Sequence, residues 1–219
     1  MGIPTLSDES SRFLMEAAKQ YRNDVSGSRA EEYLRTRGFG REELWGAAQR
    51  FRLGFVANPL PGHEKYRGRL AIPYLRQGPD GSWSTATIRF RKIGDGPGPK
   101  YLSPPADQPR LFNTIEIARN HEWIAITEGE LDAIAATTSG VPAVGIPGAT
   151  LVQPHFVELF RGYRIVYILT DGDSAGEEFG ATLKKSLPNG RVIAMDDGED
   201  VDSMVLKYGK DILKERVGL

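Results

Sequence analysis

The chain has 219 residues, of which 40% are hydrophobic and 26% charged, the balance of a globular protein able to bury one sizeable core or two small ones. It contains no cysteine, which excludes disulfides and any cysteine-ligated zinc site within it; with no charged-then-apolar leader and no apolar run near the roughly 20 residues that cross a bilayer, a cytoplasmic protein without membrane association is expected. The net charge of −1 conceals a division: residues 1–119 carry 19 Lys and Arg against 13 Asp and Glu, and residues 120–219 carry 9 against 16, so one part suits polyanions and the other suits metal ions.

The first 50 or so residues read as helices. SDESSRFLMEAAKQYR begins at a Ser7 or Asp8 cap, SRAEEYLRTRG starts at Ser28 and stops at Gly38, and a third helix is expected over 41–49. Strands follow. RLAIPYL and STATIRFRKI flank RQGPDGSW, whose Pro-Asp-Gly signals a turn, so an antiparallel hairpin is expected. Residues 94–110, GDGPGPKYLSPPADQPR, are too rich in Gly and Pro for regular structure and read as a long loop or linker.

From about residue 120, short apolar strands alternate with helical segments. EWIAIT leads into ELDAIAATTSG, PAVGI into QPHFVELFRG, and RIVYILT into SAGEEFGATLKKSL; RVIAM then precedes an acidic loop and a helix near KDILKERV. The expected fold class is α/β: a mixed α+β part over 1–119, then a largely parallel sheet flanked by helices over 120–219.

Three of these strands end in acid, and in an open parallel sheet ligands bind beyond the carboxyl ends of the strands. Glu128, Glu130 and Asp132 follow EWIAIT; Asp171 and Asp173 follow RIVYILT; Asp196, Asp197, Glu199, Asp200 and Asp202 follow RVIAM. In extended chain Asp171 and Asp173 point to one side, where their charges repel unless a cation lies between them; a solvated turn is the alternative for an isolated DGD triplet. Gly129 allows a sharp turn after Glu128, with Asp132 one helical turn further on. Ser174 with Glu177 resembles a capping box, so Glu177 and Glu178 are assigned to the next helix and not to metal. Asp196 and Glu199 are compatible with solvated loop charges. Carboxylates without sulfur or paired histidines favour Mg2+ or Mn2+ over zinc, and His63, His121 and His155, which share no ligand spacing, are expected to be packing or surface residues.

TEGELDAIAA, TDGDSAG and GEDVDSMV, in that order, resemble the three acidic signatures of the Toprim fold shared by DnaG-type primases, type IA and II topoisomerases and certain nucleases. Upstream, SRAEEYLRTRGF, FRLGFV, YRGRLAIPY, TIRFR and PKYLSP resemble the N-terminal part of the RNA polymerase domain of bacterial and phage DnaG-type primases, and the likeness extends over about residues 28–207. The resemblance implies primer synthesis from ribonucleoside triphosphates on a single-stranded DNA template, and the ITEGELDAIAA stretch points to a phage source. It implies Glu128, Asp171 and Asp173 as catalytic residues, a divalent ion held among Glu128, Asp132, Asp171, Asp173, Asp200 and Asp202, and nucleotide or template contacts at Arg67, Arg69, Arg91, Lys100 and Tyr101. Two departures stand out: Ser103 replaces an asparagine of the family's KYLNSP, and the cysteine-rich zinc module is not in this sequence, which implies a separate zinc-module protein or a replicative helicase as partner. A Toprim nuclease or topoisomerase and a non-catalytic nucleic-acid-binding subunit are the competing readings.

Overall fold

The computed structural model describes residues 6–39, 42–147 and 152–218. The chain divides into two compact units, Met1–Asp107 and Gln108–Leu219.

The first unit opens with α1 (Asp8–Asn23), capped where expected: Ser7 Oγ accepts from the Ser10 amide at 3.1 Å. Its buried residues, Leu14, Ala17, Ala18 and Tyr21, follow the i, i+3, i+4, i+7 spacing of a single apolar stripe. Ser28 caps α2 (Arg29–Leu34), and the chain then kinks at Gly38, whose φ of 85° lies in the left-handed region. Helix α3 spans Glu42–Arg50. Four antiparallel strands follow in spatial order: β1 (Gly54–Phe55), β2 (Leu70–Gln77), β3 (Trp83–Arg91) and β4 (Tyr101–Leu102). Pro73 lies within β2 beyond the reach of β1, which pairs only with Leu70 and Ala71. The hairpin turn closes through Gly78 N to Ser82 O at 2.8 Å, with the Asp80 carboxylate accepting from the Ser82 amide at 3.0 Å. His63 is buried among aromatic rings, its Nδ1 2.9 Å from the Tyr21 hydroxyl, and Phe90 stacks on Tyr66 at 3.7 Å, so this histidine is a packing residue as expected.

The Gly/Pro-rich stretch departs from the expected structureless loop. Tyr101 and Leu102 pair with Arg91 and Phe90, because β3 offers a free edge that the Lys-Tyr-Leu segment can join.

The second unit holds α4 (Ile115–Ala118), β5 (Trp123–Thr127), α5 (Glu130–Thr138), β6 (Ala143–Gly145), α6 (Pro154–Glu158), β7 (Ile165–Thr170), α7 (Ser174–Ser186), β8 (Gly190–Ala194), α8 (Val201–Tyr208) and α9 (Ile212–Val217). Its sheet is parallel throughout, in the order β6-β5-β7-β8. Ile124, Ile126, Val166 and Ile168 pack with Phe156, Phe160, Phe179 and Leu183, which is why these strands read as continuous apolar runs. Residues 108–119, expected with the basic part, lie in this unit: Phe112 and Gly145 exchange backbone bonds at 2.9 and 3.2 Å, and the Asn113 side-chain Nδ2 donates to Ala143 O at 2.8 Å. Helix α8 occupies part of the stretch read as an acidic loop, since Asp200 supplies its N-cap. No described helix is long and apolar enough to cross a membrane.

Candidate active site

Parallel strands present all their carboxyl ends on one rim, and β5, β7 and β8 are consecutive neighbours in the sheet. The acids that follow each of them therefore meet. Glu128, one residue beyond β5, accepts a bond from the Asp171 amide beyond β7 at 3.3 Å. Asp132, in the first turn of α5, accepts from the Asp202 amide in α8 at 3.2 Å. One carboxylate oxygen from each of Asp132, Asp200 and Asp202 lies within 4.8 Å of the other two, and Asp202 is only 1% exposed. The charges of Asp132, Glu128, Asp200 and Asp173 all bear on Asp171, so these five acids share one electrostatic field, and Asp202 adjoins it through Asp132 and Asp200.

Within that field the roles differ. Asp173 is extended and its Oδ1 accepts from the Gly176 amide at 2.8 Å, capping α7. This corrects the expected Ser174 cap: aspartate one residue earlier reaches the exposed amides of the first turn, and Ser174 is already helical. Asp200 caps α8 in a capping box with Ser203, Oδ1 accepting from the Ser203 amide at 2.9 Å while Ser203 Oγ accepts from the Asp200 amide at 2.9 Å. Asp196 and Glu199 turn away to Arg216 and Lys207, which removes them from the candidate ligands. The glycine between Asp171 and Asp173 is required by packing. A Cβ on Gly172 would stand 1.9 Å from Asp196 O, and one on Gly176 would stand 2.2 Å from Asp171 O.

Burial first, then the surrounding carboxylates, pushes the Asp171 carboxyl up to about 8. Glu128 is raised for the same leading reason, partly countered by the bond from the Asp171 amide. Asp171 Oδ1 is buried and finds no hydrogen-bond partner among the described residues. An orphaned buried oxygen beside three gathered carboxylates is a poor arrangement for protein alone and a fitting one for a hard cation, whose preferred ligands are oxygens.

The expected basic residues separate into two groups. Arg91, Lys100 and Tyr101 come together: Arg91 Nη1 donates to the Tyr101 hydroxyl, its guanidinium lies 5.5 Å from the Tyr33 ring centroid, and Tyr33, Arg91, Lys92, Gly94, Asp95 and Lys100 line a pocket of about 450 Å3. Arg67 and Arg69 instead brace backbone, Arg67 donating to Ala57 O at 2.7 Å and Arg69 to Pro99 O at 3.0 Å. Sequence reading missed Tyr33 and Lys92 in this pocket. Lys92 follows Arg91 directly, a signal that was available, but Tyr33 lies in α2 and nothing in its local pattern places it beside β3.

The Toprim-like family matches residues 125–205, the span that carries all six acids. The gene 57 protein of Mycobacterium phage D29 is 55% identical over 152 residues, covering 69% of this chain and 99% of that protein. The DNA primase of Haemophilus influenzae is 24% identical over 93% of this chain, which spans 41% of the primase's length. Among solved structures, a DNA primase domain from Pseudomonas aeruginosa superposes with a TM-score of 0.76 at 25% identity, covering 95% of this chain and 78% of that one. With a relative matched almost end to end at 55% identity, and with primase sequence and fold running through both units, the chain belongs to the DnaG-type primase family with a Toprim fold.

Proposed function

We propose that the chain is a primase catalytic core that joins ribonucleoside triphosphates on a single-stranded DNA template. The observation that carries this reading is the gathering of Asp132, Asp200 and Asp202 oxygens beside Glu128 and Asp171 at the rim of a primase-like sheet. In the reaction a 3′-hydroxyl attacks the α-phosphate of the incoming nucleotide, and pyrophosphate leaves.

Asp132, Asp171, Asp200 and Asp202, with Glu128 and Asp173, would hold Mg2+ or Mn2+, not zinc, and such an ion when bound neutralises charge developing on phosphate oxygens. Glu128 is suited to accept the proton of the attacking hydroxyl, because burial and the charges of Asp173 and Asp132 raise its basicity while the Asp171 amide fixes its Oε1. Asp173 and Asp200 are oriented by the helices they cap, so their carboxylates are aimed without loss of side-chain freedom at each encounter. The pocket of Arg91, Lys92, Lys100 and Tyr33 suits a triphosphate or template backbone, with the tyrosine as an apolar face beside the cations. Arg67 and Arg69 keep donors beyond those used for backbone and can add phosphate contacts.

The basic unit presents mainly backbone-type contacts, so a zinc-module protein or replicative helicase would raise the effective concentration of template. The test is incubation with labelled ribonucleotides, single-stranded template and Mg2+ or Mn2+. Short RNA products are expected; nicked DNA would point to a Toprim nuclease, and neither product, with DNA bound, to a non-catalytic subunit.

A further inference from the structure

We infer that Arg216, in the last helix, is a positioning residue for the acidic rim, setting the DGD backbone through the loop that follows β8. This rests on the reading that the rim holds a divalent cation. Gly172, between Asp171 and Asp173, is pressed against that loop: its amide donates to Glu199 O at 2.8 Å, its carbonyl accepts from the Gly198 amide at 2.8 Å, and no Cβ could fit beside Asp196 O. Any shift of residues 196–199 therefore shifts Gly172, and with it the two carboxylates that flank it.

On its other side the loop is gripped by α8 and α9. Arg216 Nη1 donates to Ala194 O at 2.8 Å, and its Nη2 donates to the Asp196 carboxylate, whose second oxygen accepts from the Tyr208 hydroxyl at 3.3 Å. Lys207 pairs with Glu199 at 3.1 Å. Arg216 bonds both the backbone at the end of β8 and a loop side chain, a two-point grip that the planar guanidinium fork allows and a lysine ammonium does not reproduce. The helix beneath it is anchored through buried Leu213 and Val217. The grip thus transmits a packed core position to a rim whose gathered like charges repel one another.

The experiment compares wild type, Arg216→Ala, Arg216→Lys and Asp196→Asn by amide hydrogen exchange in chelator and by Mn2+ titration followed by electron paramagnetic resonance. In Arg216→Ala the Gly172 and Gly198 amides should exchange about tenfold or more faster, with β7 amides changed less than about twofold. Its Mn2+ dissociation constant should rise about fivefold, with Arg216→Lys and Asp196→Asn between it and wild type; the last two report the grip even if the alanine variant fails to fold. Unchanged exchange at Gly172 and Gly198, or equal acceleration throughout β7, would overturn the positioning role, the second result assigning Arg216 to general stability. Wild-type protein that binds Mn2+ while Arg216→Ala binds it equally well would sink this inference alone. Wild-type protein that binds no Mn2+ would remove the cation reading itself and this inference with it.

Discussion

Asp171→Asn should make the metal-free protein more stable at neutral and alkaline pH while abolishing synthesis. The carboxyl of Asp171 is pushed up to about 8 from an ordinary 3.8 by burial and by four neighbouring acids. Between those values the folded chain keeps a proton that the unfolded chain releases, so this group's contribution to stability falls as pH rises from about 4 to about 8. At pH 7 the difference spans about 3 pK units, a ceiling of about 4 kcal/mol; the side chain is only half-buried, solvent screens much of this, and about 1–2 kcal/mol is expected. Asparagine is nearly isosteric with the protonated acid and does not titrate. Thermal melts in chelator should therefore show the variant close to wild type at pH 4 and about 3–8 °C above it at pH 8. Saturating Mn2+ should reverse the order, since a ligand at 100 times its dissociation constant adds about 2.7 kcal/mol to the protein that binds it. A variant less stable than wild type at every pH, or a difference that does not vary between pH 4 and 8, would refute the account of Asp171 as a carboxylate held under repulsion.

Gly172→Ala should remove activity without touching a charge and destabilise the second unit by about 2–4 kcal/mol, because the Asp196 carbonyl it meets is backbone; Gly198→Ala, with open space but a φ of 75°, should cost only about 1 kcal/mol in the same denaturant titration. Asp200→Ser should keep the α8 cap and the melting temperature within a few degrees yet weaken Mn2+ binding at least tenfold by calorimetry, separating the capping role from the ligand role. Arg91→Ala and Lys100→Ala should each weaken nucleotide or single-stranded DNA binding several-fold and flatten its salt dependence, measured by fluorescence anisotropy, while Mn2+ binding by the second unit is retained.

Local chemistry was enough to read much of this chain. Apolar runs alternating with helical segments imply a parallel sheet, because strands buried on both faces admit few polar residues, and Ser7 and Ser28 mark helix starts because their hydroxyls satisfy amides that helices leave exposed. The three acidic strand ends were legible for the same reason, as a parallel sheet puts them on one rim. Their division of labour was not. Asp173 and Asp200 differ from Asp196 and Glu199 by which amide or cation lies within 3 Å or so, and those partners are set by packing between elements distant in sequence, such as Arg216 on Asp196. Likewise, Gly172 reads in sequence as a flexible turn residue, whereas the fold requires it because the loop after β8 leaves no room for a side chain. Tyr101 reads as part of an irregular stretch until β3 offers its edge, and only that pairing brings it opposite Arg91, whose guanidinium also faces the Tyr33 ring. Sequence by itself determined which residues could carry charge to the rim and which strands would build it; tertiary packing decided which acids remain there, since only the folded chain supplies the amides, cations and close backbone contacts that claim the others.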